Sequence, residues 1–168
     1  MQTVVIKEKD IREAAQQGLP EFVEVVIGAI NGAIGGGLTP ETMSALNSSQ
    51  ITLLAYDTLR RELMEGGFVQ LIYNGYGPFI FKNPFARVLK GWGLQELGRL
   101  IQKAHKYYGM YHTLIEGADT DEDFMALYEQ CPELDEFDDE FVDNEDVFTG
   151  QIACYIDEHI GDFVTVEQ

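Results

Sequence analysis

Between Asp119 and Asp146 the chain places 14 Asp or Glu among 28 residues and no Lys or Arg. A run of that density has two outcomes: it stays solvated as an unfolded tail, or it folds with its acids turned to one side. Phe124, Leu127, Tyr128, Leu134, Phe137, Phe141, Val147 and Phe148 are threaded through it, and unfolded tails are poor in such residues. Folding is therefore expected. From Glu133 to Val142 the spacing is helical, with Leu134, Phe137 and Phe141 on one stripe, while Glu129, Glu133, Glu136, Glu140 and Asp143 recur at steps of four, three, four and three. One face can pack while the other displays carboxylates. Like charges so placed cost an isolated helix roughly 0.2 to 0.5 kcal/mol per pair, and no basic side chain within the segment relieves them.

The acids are segregated as well as abundant. The last basic side chain is Lys106; residues 107–168 hold 19 carboxylates, and the first 106 residues hold 10 acids with all 11 basic groups, so +1 and −19 make the net charge of −18. A solvated surface for solubility needs no such concentration in one third of a chain. A cationic partner gives it a reason.

A chain of 168 residues with 45% hydrophobic side chains can fill the core of one domain. The expected organisation is a single helical domain over residues 1–168, in which 1–38 supply N-terminal helices and a glycine-rich connection to a core over 39–168. Cys131 and Cys154 are too few for a disulfide framework and match no zinc spacing, which points to reduced thiols in a cytoplasmic protein. Met1 to Asp10 lacks the basic start and apolar run of a secretion signal. Phe22 to Leu38 is apolar apart from Glu24 and Asn31, with Gly28, Gly32 and Gly36 at steps of four, but it is shorter than the roughly 20 residues a bilayer requires. Those glycines are expected at a close helix contact, in the core or between subunits.

Helix punctuation covers most of the remainder. Asp10 to Gln17 reads as a helix stopped by Gly18, and Pro20 begins a second that ends at Gly35 to Gly37. Thr39 and Pro40 open a stretch through Ala45. A longer helix after Asn47, Ser48 and Ser49 carries Ile51, Ala55, Leu59 and Leu63, and stops at Gly66 and Gly67. Phe68 to Tyr73 fits strand or helix by pattern alone, and its place between helices selects a short helix; Asn74 to Pro78 is a loop, and Phe85 to Lys90 another helix. Leu94, Leu97, Ile101, Ala104, Tyr108, Tyr111 and Ile115 alternate steps of three and four, marking one long core helix. Its basic stripe, Arg99, Lys103 and Lys106, is expected to pair with the acidic third in the same molecule or in a second copy, the latter making a homodimer. Thr120 caps a helix with Asp121, Glu122 and Asp123 in its first turn. Pro132 starts the acidic helix, and Asp146 to Ile160 reads as a separate final one. No convincing β pattern and no internal repeat is present, so the fold class is all-α: a multi-helix bundle with one long core helix and an acidic C-terminal helical third.

The ordered set Glu62, Gly66, Gly67, Phe68, Gln70 and Asn74 resembles the signature of a bacterial family whose best-known member is an acidic DNA-mimic protein. The resemblance extends over residues 40–165, through the Gly91 to Gly93 turn and a terminal block in which Tyr155 and Ile156 precede His159 and Phe163. It implies an all-helical protein whose carboxylates imitate DNA phosphates and occupy the DNA-binding surface of a helix-turn-helix regulator. The signature itself consists of packing and loop residues, so it bears on the fold more directly than on the acids. Physically, carboxylates three or four apart on a helix lie about 5–6 Å from each other, comparable with successive phosphates along one strand to within a factor of about two. Mutual repulsion is expected to raise their pKa values.

Other chemistries fit less well. Asp119, Asp121 and Asp123 alternate like a calcium loop, yet Phe124 stands where Gly is required and Gln130 where the bidentate Glu belongs. His105, His112 and His159 with Cys131 or Cys154 form no nucleophile, base and acid context, and no phosphate-binding glycine motif is present. Direct nucleic-acid binding through Lys82, Arg87, Lys90, Arg99, Lys103 and Lys106 would be opposed by the acidic third. The expectation is a non-enzymatic binding protein, with neither cofactor nor metal, that presents Glu129, Glu133, Asp135, Glu136, Asp138, Asp139, Glu140, Asp143, Glu145 and Asp146 to a basic DNA-binding regulator. A cationic toxin or nuclease held by an immunity-type inhibitor is the alternative partner. An enzyme with a site near Gln70, Tyr73 and Asn74 is the alternative from another class.

Overall fold

A computed structural model describes all of residues 1–168. Eleven helices and two three-residue strands follow one another as β1 (Val5–Lys7), α1 (Glu8–Gln17), α2 (Leu19–Ala33), α3 (Pro40–Met43), α4 (Ser48–Glu65), α5 (Gly67–Tyr73), α6 (Gly77–Phe81), α7 (Phe85–Gly91), α8 (Gln95–Glu116), α9 (Asp121–Gln130), α10 (Pro132–Glu158), α11 (Ile160–Phe163) and β2 (Thr165–Glu167). The class is all-α, as the periodicity indicates. Two compact units partition the chain: Met1–Leu54 with Asp146–Gln168, and Ala55–Glu145.

In the first unit, β1 and β2 pair in parallel, Val5 opposite Thr165 and Lys7 opposite Glu167. The sequence carries no signal of this pairing because three residues are too few to display a period of two. Phe22, Val23, Val26, Ile27 and Ile30 form the buried stripe of α2, and Ile152, Ile156 and Phe163 are buried in the same unit. A reciprocal cap starts α4: the Asn47 amide donates to Gln50 Oε1 at 3.0 Å, and the Gln50 amide donates to Asn47 Oδ1 at 2.8 Å. This satisfies donors that a helix start leaves unpaired. Gln50 is itself buried and its Nε2 donates to the Phe163 carbonyl at 2.8 Å. The glycine repeat is not used for close packing within the chain, since a Cβ at Gly28, Gly32 or Gly36 would meet nothing within 4 Å. No helix is long and apolar enough to cross a membrane.

The second unit is built on α8, whose Leu97, Ile101, Ala104, Tyr108 and Ile115 are buried and against which α5, α6 and α7 pack. Phe81 stacks on Tyr108 with ring centroids 4.7 Å apart and leans on Phe68 at 5.9 Å. The short helix α6 lies where a loop is expected; Pro78 sits in its first turn, a position that Pro tolerates. Thr120 Oγ1 accepts from the Asp123 amide at 3.0 Å and so caps α9. The two expected acidic and final helices are one helix of 27 residues, Pro132–Glu158, because nothing between Asn144 and Val147 breaks the hydrogen-bond ladder: no Pro or Gly lies there.

Candidate partner-binding site

Ten carboxylates from Glu129 to Asp146 form the candidate site, and helical geometry sorts them by face. Glu129, Asp135, Glu136, Asp139, Asp143 and Asp146 are exposed; Glu133, Asp138, Glu140 and Glu145 are half-buried. Leu134 and Phe141 are fully buried on the opposite side of α10. Within the second unit the exposed acids of α10 therefore recur as Asp135 and Glu136, then Asp139, then Asp143, one ridge following the 3.6-residue turn. The row Glu129, Glu133, Glu136, Glu140, Asp143 read from spacing alone is turned slightly away from this ridge, which leaves Glu133 and Glu140 on its flank. Asp146 belongs to the first unit, where its Oδ1 accepts from the Val147 amide.

Neutralisation by the chain's own cations is confined to one edge. Arg60 Nη1 lies 3.8 Å from Glu145 Oε1. Asp135, Glu136, Asp139 and Asp143 make no ion pair. The basic stripe of α8 does not serve them: Arg99 pairs with Glu96 on its own helix at 2.7 Å, Lys106 lies over the Tyr107 ring at 5.5 Å, and neither Lys103 nor Lys106 makes an ion pair. The intramolecular pairing expected for that stripe is thus not formed.

Two of the half-buried acids are held by specific donors. Glu133 accepts from the Tyr111 hydroxyl at 2.7 Å, a bond that lowers the Glu133 pKa and pushes the Tyr111 phenol up to about 12. Asp138 Oδ1 accepts from the Phe68 amide at 2.8 Å. Burial raises the Asp138 pKa to about 7 despite that hydrogen bond, and the neighbouring Asp135 and Asp139 add to the rise. The upward shift is thus caused first by desolvation, with mutual repulsion secondary.

The ordered set Glu62, Gly66, Gly67, Phe68, Gln70 and Asn74 converges on the turn between α4 and α5. Glu62 Oε2 accepts from Gln70 Nε2 at 2.9 Å and from Asn74 Nδ2 at 3.0 Å. Gly66 lies under Gln70, where a Cβ would come 2.1 Å from Oε1, and its carbonyl accepts from the Tyr128 hydroxyl at 2.8 Å. Gly67 has φ +74° and faces Asp138 so closely that a Cβ would stand 2.1 Å from Oδ2. Only glycine satisfies both demands. Gln70 and Asn74, considered for an enzyme site, thus both donate to Glu62, and Tyr73 packs on Phe124 at 4.7 Å. No group of three or more His, Cys, Asp or Glu is arranged to hold a metal ion. The Cys131 thiol is buried, and burial raises its pKa above the ordinary value, the opposite of an activated nucleophile.

The model of the DMP19-like protein family matches residues 44–159. The chain belongs to the DMP19-like family. A DMP19-like relative, the DNA mimic protein DMP19 of Neisseria meningitidis serogroup B (strain ATCC BAA-335 / MC58), is 40% identical over 99 residues. That match spans 58% of this chain and 60% of the relative. The DMP19-like region contains the whole signature cluster and every one of the ten candidate carboxylates. The contact between Asp138 and the Gly66–Gly67 turn had no signal in the sequence, because the partners are 70 residues apart and the acid looks like its neighbours.

Proposed function

We propose that this DMP19-like chain is a cytoplasmic DNA mimic, a non-enzymatic protein that covers the DNA-binding surface of a basic transcriptional regulator. The observation that carries the reading is the ridge Asp135, Glu136, Asp139 and Asp143: exposed, on one helix, and without an internal cation. The name of the Neisseria relative supports the same reading. A regulator meets DNA with Lys, Arg and helix N-termini, groups that a carboxylate row engages by the same charge-assisted hydrogen bonds. Glu133 and Glu140 flank the ridge, and exposed Glu129 on α9 adds to the negative field; Glu145, bound to Arg60, contributes least.

Capture from the native lysate on the immobilised chain at low salt, followed by high-salt elution, tests the proposal. The expected product is a DNA-binding protein that a chain carrying Asp135→Asn, Glu136→Gln, Asp139→Asn and Asp143→Asn fails to retain. Recovery of a secreted cationic toxin or nuclease instead would replace mimicry by immunity.

A further inference from the structure

Asp138 stands apart from the other acids of α10, and its surroundings assign it a different task. Its neighbours one turn away on the inner side, Leu134 and Phe141, are fully buried. One carboxylate oxygen takes the Phe68 amide at 2.8 Å, and the other lies over Gly67, at a point that any Cβ would occupy. The turn it grips is fixed from two further sides, by Tyr128 of α9 on the Gly66 carbonyl and by Glu62 of α4 through Gln70. An open cleft of about 430 Å³ beside it is bounded by Glu65, Met125, Tyr128, Asp135 and Asp139. The titratable groups facing Asp138 are thus Asp135 and Asp139 on its own helix, Glu65 on α4 and Tyr128 on α9, with no Lys or Arg among them.

We propose that Asp138 is the positioning residue of the acidic face: it anchors α10 on the Gly66–Gly67 turn, and so sets the rotation and height of the Asp135, Glu136, Asp139 and Asp143 ridge, without itself serving as a phosphate surrogate. What the ridge is for rests on the proposed mimicry; the anchor does not. A phosphate surrogate needs a permanent, solvent-facing charge. Asp138 is only half-exposed, and burial leaves it partly protonated near neutral pH. The hydrogen bond from the Phe68 amide favours the carboxylate, but protonation relieves the larger desolvation cost and the repulsion from Asp135 and Asp139, so the neutral side chain, which still accepts from that amide, is the form that seats best against the turn. Gly67 in this chain is then glycine because the anchoring carboxylate of α10 occupies the place of its side chain.

The test uses the full chain, amide NMR and a short oligo-arginine peptide as cationic probe. The Phe68 amide resonance of the wild type is expected to move with a midpoint near pH 7, and that of Asp138→Asn to stay flat. At fixed pH, Asp138→Asn should bind the peptide within about twofold of wild type and with the same dependence on salt. Asp138→Ala, which removes the acceptor, should bind about tenfold more weakly. Asp139→Asn, a ridge change, should instead lower the slope of log affinity against log salt by about one unit. A Phe68 amide indifferent to pH and to Asp138→Asn overturns the anchor, and a fall in salt slope for Asp138→Asn like that of Asp139→Asn makes Asp138 a contact residue. Failure of the wild-type chain to displace duplex DNA from any DNA-binding protein counts against mimicry alone, because the Phe68 titration decides the anchor independently.

Discussion

At the residue scale, two carboxylates of one helix behave oppositely because their donors and their burial differ. Glu133 keeps contact with solvent and is held by a phenol, so its proton affinity falls; Asp138 is desolvated, so its affinity rises to about 7. The consequences for stability run in opposite directions. Asp138 binds its proton more tightly folded than unfolded, where an Asp titrates near about 3.9, so its contribution is greatest below that value and is lost as pH climbs towards 7. The loss is on the order of 2–4 kcal/mol, discounting for the solvent-facing part of the group. Asp138→Asn is therefore expected to be more stable than wild type at pH 8 and to flatten the pH dependence between about 4 and 7, as urea unfolding at several pH values would reveal. For Glu133 the sign reverses: its stabilisation is present above the unfolded pKa and vanishes as pH falls through the lowered folded value. Tyr111→Phe removes that effect, and with it the phenol that ionises at about 12 in an ultraviolet titration.

At the element scale, glycine tells the turn from the helix. Gly67→Ala meets both a positive φ and the Asp138 carboxylate, and is expected to cost more than about 2 kcal/mol in urea unfolding. Gly109 lies inside α8 with open space around it, so Gly109→Ala should stabilise by about 0.5–1 kcal/mol in the same measurement. Much of this architecture is legible in the chain itself. The three-and-four steps of Leu97, Ile101, Ala104, Tyr108, Tyr111 and Ile115 mark α8, and Thr120 with its acidic first turn marks the start of α9. What escapes is set by non-local geometry. The three-residue strands pair termini about 160 residues apart, and α6 is a single turn held by α7 and α8 rather than by its own propensity. The unbroken α10 escapes for another reason: two amphipathic stretches in succession read as two helices, while the backbone hydrogen bonds continue through them. On the site, spacing gives the acidic composition of the face but not which acids point outward, because that depends on how Leu134 and Phe141 are buried.

At the scale of the whole molecule, the charge of −18 is separated from its cations along the chain, with no Lys or Arg after Lys106. Such a field accelerates encounter with a basic surface and makes association fall steeply with ionic strength. The central claim is that the α10 ridge takes the place of DNA on its partner. The most direct measurement is a competition titration in which the chain displaces fluorescent duplex DNA from the DNA-binding protein it captures, repeated across a salt series. The predicted result is complete displacement by wild type with an affinity that falls as salt rises, and its loss in the chain neutralised at Asp135, Glu136, Asp139 and Asp143. Simultaneous binding of chain and DNA to the same protein, or undiminished displacement by the neutralised ridge, would contradict it.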